Sequence, residues 1–294
     1  MTNAKPWTGR FRQIRVVRLL RARNVTPAMR RVTLGGPELE DLPRGPNLKL
    51  LIPPQGHNRI EWPAAAKPLV WPDKALLPAI RTYTVRRHDP ATGEIEVDFV
   101  LHGEGPAASW AASAQPGDVI GISAPGGREI AAAPWVCIAG DHTAVPAVTR
   151  MLETLPRETA GHAFIEVPGP EEEQPVEAPP GLRVTWLHAP PGRSGLAAAV
   201  RGVPSPGHGD IAFWVGAESE TARALRAHIR DERGVERRRF LVIGYWKRGM
   251  TETAYGEKFD HDRDEDYFAV AREEEARRHR AGHRHGHEEH DHAH

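Results

Sequence analysis

A change of rhythm near residue 132 limits the folds open to this chain more than any other feature. Before it, short β-branched and aliphatic runs are broken by Gly and Pro: Ile14–Leu20, Met29–Leu34, Asn47–Ile52, Ile80–Arg86, Glu94–Leu101 and Asp118–Ser123. Glu94–Leu101 alternates charged and apolar residues, the pattern of a strand with one face in a core. Pro106–Ala114 is Ala-rich and reads as a single helix. Repeated short strands with turn residues between them predict an antiparallel barrel. After residue 132, strand-like segments (Trp135–Ala139, His162–Val167, Leu182–Leu187, Ile211–Gly216, Arg239–Gly244) alternate with helical ones (Val145–Leu155, Ser219–Arg230). That alternation predicts a parallel α/β sheet. The expected organisation is a β-barrel domain over 1–132, an α/β domain over 133–256, and a charged, His-rich tail over 257–294, partly helical or disordered. Pro168–Pro180 is expected to be a loop.

Composition narrows the function classes. Lys and Arg number 39, Asp and Glu 39, so the chain lacks the basic surplus of a nucleic-acid binder. A single cysteine, Cys137, excludes an internal disulfide framework and any multi-cysteine metal or cluster site within one chain. No apolar run approaches the ~18 residues of a membrane span. Met1–Trp7 has no apolar stretch of the secretory kind. The expectation is a cytoplasmic protein with no membrane or nucleic-acid partner, read as a monomer.

Two motifs carry chemistry. Arg81-Thr82-Tyr83-Thr84 lies in a period-two run, which puts Arg81 and Tyr83 on one face. A guanidinium, an aromatic ring and a hydroxyl in this order suit a flavin's pyrophosphate, isoalloxazine and N5 edge. Taken alone, the four residues read equally well as a half-buried strand with a surface arginine. Ala139–Pro146 follows the first strand of the second half. A strand, a glycine turn and a helix start form a nucleotide-phosphate site in α/β proteins, although this turn is not a GxGxxG. Asp141 reads both as a helix N-cap and as a cofactor contact.

The order Arg81–Thr84, Asp98–Gly103, Gly105–Ala111, Pro116–Asp118, Ala124–Gly127, Gly140–Ala144 and Gly244–Gly249 resembles the siderophore-interacting protein family, the flavin-dependent ferric-siderophore reductases of the ferredoxin–NADP reductase superfamily. The resemblance implies an FAD-binding barrel, an NAD(P)-binding α/β domain, and electron transfer from NADPH or NADH through FAD to a ferric siderophore, releasing Fe(II). Reduced ferredoxin is a second candidate donor. No protein side chain need act as a catalytic acid or base. Arg81, Tyr83, Thr84, Ala108, Ser109 and Trp110 are assigned to FAD. His102 reads as a flavin contact or as a hydrogen-bonding residue at a strand end. Gly140, Asp141, Thr143, Ala144 and Gly216 are assigned to the nicotinamide cofactor. Lys49, Arg128, Lys247 and Arg248 are candidates for an anionic chelate, or are solvated cations.

Three departures from the family pattern stand out. His142 replaces the usual Glu of Gly-Asp-Glu-Thr-Ala. Ala217 follows Gly216 where Glu is common. An arginine common just after the strand ending in His188 is absent, and Arg193 either replaces it in binding a cofactor phosphate or is a loop residue. The tail histidines His283, His285, His287, His290, His292 and His294, with Glu288, Glu289 and Asp291, form a weak metal-binding candidate or an appendage without a role. The alternatives to the leading reading are a general flavin or ferric reductase and a non-enzymatic metal-handling protein.

Overall fold

A computed structural model of the chain describes residues 14–40, 42–54, 56–57, 59–62, 73–101, 105–190, 192–204, 210–263, 265 and 267–274. The first half is an antiparallel sheet of seven strands: β1 (Ile14–Thr26), β2 (Met29–Gly35), β3 (Asn47–Ile52), β4 (Ala79–Thr84), β5 (Arg87–Asp89), β6 (Glu94–Val100) and β7 (Val119–Ser123). Their order is β4-β3-β7-β1-β2-β6-β5. The sheet curls until β4 lies against β6, and α1 (Pro106–Ser113) packs on β2, β3, β4 and β6. The alternation in β6 sets its faces: Ile95, Val97 and Phe99 are fully buried in the barrel core with Leu34, Leu50, Ile120 and Ile122. Asp98, on the opposite face, is also buried. Arg31 pays for that burial with two hydrogen bonds to Asp98 of 2.6 and 2.7 Å, because an unpaired carboxylate there would be costly.

The second half is a five-stranded parallel sheet of β8 (Trp135–Gly140), β9 (Ala160–Val167), β10 (Gly181–His188), β11 (Ile211–Glu218) and β12 (Phe240–Trp246), ordered β10-β9-β8-β11-β12. Val145, Val148 and Leu152 of α2 (Val145–Thr154) cover one face, and Met29 of β2 joins their cluster, so the two sheets share a core at that point. α3 (Leu196–Arg201) and α4 (Ser219–Ala227) cover the other face. Cys137 lies in that second core, and burial pushes its thiol up to about 12, so it is inert. The chain jumps from β10 across β8 to β11, which makes the β8/β11 junction the switch point where open α/β sheets bind ligands.

After β12 the chain turns back towards the barrel. α5 (Glu252–Phe259) starts at Thr251, whose hydroxyl accepts from Ala254 N at 3.2 Å. Asp260, His261 and Asp262 follow in left-handed conformation, with φ of 47, 55 and 54°. Residues 267–274 are helical again. Tyr255 OH and Ser219 Oγ donate to Asp262 at 2.7 and 2.6 Å, pinning the turn to the end of β11. Gly244 explains itself here: a Cβ at that position would sit 1.8 Å from Tyr255 OH.

Candidate functional site

β4 supplies the first half of the site. Its pairing with β3 sets Lys49 opposite Thr82 and Leu50 opposite Arg81. Lys49 Nζ donates to Thr82 Oγ1, and burial lowers the lysine's pKa. The Tyr83 ring lies 4.4 Å from Phe99, which lies 5.6 Å from Trp110. Burial pushes the Tyr83 hydroxyl up. Thr84 is buried; burial raises the pKa of the Tyr245 hydroxyl of β12, and Thr84 pulls it back. α1 begins at Gly105 with no side-chain cap, and among the described residues a Cβ on Gly105 would meet no atom within 4 Å. Ala107 and Ala108 are small and buried. An uncapped helix start beside open space, packed against the strand that carries an arginine, suits a diphosphate. Ser109 N is spent on Gly105 O at 2.9 Å, which leaves the earlier N–H groups as donors.

The switch point supplies the second half. Gly140 and Gly216 are direct partners across β8 and β11. A Cβ on Gly140 would stand 2.8 Å from both Ala144 Cβ and Val148 Cγ2, and one on Gly216 2.5 Å from the Trp214 ring. Asp141 is enclosed. Its carboxylate accepts from Thr143 N (3.0 Å), Thr143 Oγ1 (2.6 Å), Glu218 N (2.8 Å) and Trp246 Nε1 (2.8 Å). Burial raises its pKa, and these hydrogen bonds pull the other way. Both sequence readings of Asp141 meet this geometry differently. It is an N-cap, and it also ties the ends of β8, β11 and β12 into one floor. Its carboxylate and the Thr143 hydroxyl are engaged within that floor. Ala144 is fully buried below it. His142 Nε2 stands 3.1 Å from Glu172 Oε2, and that carboxylate also accepts from Thr26 Oγ1 and, at 2.7 Å, from Ala28 N. Glu172 therefore clasps the β1–β2 hairpin of the barrel to the α/β sheet.

The four cations read as chelate candidates all meet the C-terminal segment or its flank. Arg128 is not solvated: its side chain is 6% exposed, it pairs with Glu274 at 3.2 Å, and it lies over the Tyr267 ring. Lys247 lies 5.6 Å above the Phe259 ring. Arg248 lies over Trp246, and its N–H donates to Glu218 Oε1 at 3.2 Å. Lys49 feels the Glu252 carboxylate. Arg193 N donates to Pro190 O, and the residue is exposed. His102, His283, His285, His287, His290, His292 and His294 lie outside the described residues. Sequence reasoning missed two acids. Glu172 sits in a Pro/Glu-rich loop and Glu252 at a helix start; neither carries a local signal, because their partners lie in the other half of the chain.

Two family models match. Residues 18–129 match the siderophore-interacting FAD-binding domain and residues 133–249 the siderophore-interacting protein model. The chain is 34% identical over 263 residues to ferric vibriobactin reductase ViuB of Vibrio cholerae serotype O1, covering 86% of this chain and 96% of that one. Among solved structures it resembles the siderophore-interacting protein SipS from Aeromonas hydrophila, with TM-score 0.75, 31% identity, and coverage of 83% and 96%. It shares its fold with a ferredoxin NADP+ reductase from Neisseria gonorrhoeae solved with bound FAD and NADP, at TM-score 0.51 and 14% identity, covering 74% of this chain and 91% of that one.

Proposed function

The chain belongs to the siderophore-interacting protein family and carries its FAD-binding domain, and we propose that it is a cytoplasmic ferric-siderophore reductase drawing electrons from NAD(P)H through FAD. The observation that carries this reading is the packing of the uncapped start of α1, with its small residues Gly105, Ala107 and Ala108, against β4, which carries Arg81. Arg81 and the first N–H groups of α1 would hold the diphosphate. Tyr83 would flank the isoalloxazine, with Thr84 as a hydroxyl partner and Ala108, Ser109 and Trp110 alongside. The fit rests on the uncapped helix start and the open space at Gly105.

FAD held by these residues would supply the redox chemistry that bridges a two-electron hydride donor and a one-electron acceptor. The chain's own residues bind and orient. Gly140 and Gly216 let Ala144, Val148 and Trp214 pack against the strand ends at the switch point, where the nicotinamide cofactor would lie beside Thr143. The floor fixed by Asp141 holds the glycines in place. Lys49, Lys247 and Arg248 would supply positive potential for the ferric chelate, whose iron is the substrate, while Arg128 is already paired with Glu274. One-electron reduction loosens a hard-oxygen chelate of Fe(III), so no general acid or base is needed.

His142 and Ala217, the departures that lent a non-enzymatic reading weight, leave the floor intact, because Asp141 keeps its four donors. The test is anaerobic reduction of the FAD-loaded protein by NADPH, NADH or reduced ferredoxin, then turnover of one ferric hydroxamate and one ferric catecholate. Bleaching by a nicotinamide and faster turnover of a chelate than of free flavin support the reading. Turnover of free flavin alone would make the protein a general flavin reductase.

A further inference from the structure

Arg81 already has an anion. Its Nε stands 3.0 Å from Glu252 Oε2, and its Nη1 donates to Thr253 Oγ1 at 3.2 Å. Thr82 N donates to Glu252 Oε1 at 3.4 Å. All three contacts come from the first turn of α5, far along the chain from β4. The Glu252 side chain is 27% exposed. Burial pushes its carboxyl up, and Arg81 is the largest influence pulling it back. A carboxylate in such a place is held by its cation rather than by water.

The rest of the segment has anchors of its own. Glu274 pairs with Arg128, Phe259 lies under Lys247, and Glu273 pairs with Arg238 at 2.7 Å. Between these anchors lies the left-handed turn at Asp260–Asp262, a conformation that non-glycine residues keep only where their surroundings impose it. Residues 252–263 and 267–274 thus form a strap held by both the barrel and the α/β half, with a carboxylate seated on the arginine assigned to the diphosphate.

We propose that Glu252 competes with the FAD diphosphate for Arg81, so that the start of the strap leaves β4 when the flavin loads. This rests on the flavin reading above. A diphosphate brings two charges and several acceptor oxygens to a forked guanidinium, whereas Glu252 brings one charge, so the ligand wins once bound. Until then the glutamate neutralises Arg81 and holds α5 against β4. Flavin loading and strap position are therefore linked, and each weakens the other.

The test uses the full-length chain stripped of flavin and titrated with FAD, read by quenching of flavin fluorescence. Glu252→Gln keeps the shape and the acceptor for Thr82 N–H and removes the charge. It should bind FAD about two- to fivefold more tightly, the range expected for losing one partly exposed competing ion pair. In the wild-type chain, amide exchange over 252–259 should quicken when FAD is added. Unchanged or weaker FAD binding by Glu252→Gln overturns the proposal, because a residue that merely orients Arg81 would cost affinity when neutralised. Unchanged or slower exchange over 252–259 overturns it independently of any variant. Absence of FAD binding by both proteins overturns the flavin reading and this proposal with it.

Discussion

Restoring the glutamate usual in the family at position 142 should destabilise this protein, and the structure gives the size of the effect. His142 Nε2 is 3.1 Å from Glu172 Oε2, and the two side chains are 14% and 3% exposed. His142→Glu would set two carboxylates within reach of each other at the junction of barrel and sheet. At about 4 Å and an effective dielectric of 20, their repulsion is ~4 kcal/mol. The pair can escape by keeping one proton. At pH 7, protonating a carboxyl of ordinary pKa ~4.3 costs about 1.36 × 2.7, or ~3.7 kcal/mol. The smaller figure governs, so the loss at pH 7 is about 3–4 kcal/mol, and at pH 5 the same arithmetic leaves ~1 kcal/mol. For a chain of this size that corresponds to a fall in Tm of about 6–16 °C at pH 7. Thermal melts of wild type, His142→Glu, Glu172→Gln and the double variant, at pH 7 and pH 5, form a cycle that isolates the pair. The second substitution should recover most of the loss. A His142→Glu protein melting within about 2 °C of wild type at pH 7 would refute the reasoning, as would a loss equal at both pH values.

Arg81→Ala should weaken FAD binding by about 1.5–3 kcal/mol, the worth of a charge-assisted hydrogen bond, and flavin fluorescence titration reads it; unchanged affinity would remove Arg81 from the site. Lys247→Ala with Arg248→Ala should raise KM for an anionic ferric catecholate more than for a near-neutral hydroxamate and flatten its salt dependence, since screening acts over ~8–10 Å; steady-state kinetics at low and high salt decide, and equal effects on both chelates would leave these residues without a substrate role. The turn of the strap should loosen in acid. His261 is kept neutral by burial, with Arg263 and Lys49 adding repulsion and Asp260 opposing it, so its pKa drops to about 4. The released state binds the proton nearer 6.5, so docking is fully favourable above that value and is lost as pH falls towards 4. Amide exchange over 255–263, corrected for intrinsic rate, should quicken between pH 7 and pH 5, and His261→Gln should remove most of that dependence.

Periodicity made much of the fold legible. β6 was readable because Ile95, Val97 and Phe99 alternate with acids, and α2 because Pro146 sits in its first turn, where a missing N–H costs nothing. β1 reads short in sequence, as Ile14–Leu20, yet runs to Thr26. Register shifts between Leu19 and Arg21 and between Asn24 and Thr26 break the alternation a reader relies on. α3 left no signal because its six residues are held from outside: Glu166 accepts from Gly195 N at 2.5 Å and from Ser194 Oγ at 3.2 Å. The site divides in the same way. Arg81 was legible as a motif, whereas the carboxylate that occupies it was not.

The acids show why. Glu171, Glu172 and Glu173 are chemically identical in sequence, yet only Glu172 is buried. What distinguishes it is that Thr26 and Ala28, at the tip of a hairpin in the other domain, offer donors at that spot. Asp141 behaves alike: its N-cap to Thr143 is local and readable, while Glu218 N and Trp246 Nε1 arrive from two other strands. A buried carboxylate must find donors, because leaving it unpaired costs several kcal/mol, of order 3–5 when a partner is removed. Its position is therefore set by wherever the fold brings donors together, and that is a property of tertiary contacts. In this chain those contacts lie where the barrel, the sheet and the strap meet. The residues least legible in sequence are thus the ones that tie β4 and the barrel to the α/β sheet and its switch point. Substitutions at Glu172 and Glu252 should alter the coupling between the halves more than substitutions at the solvated loop arginines.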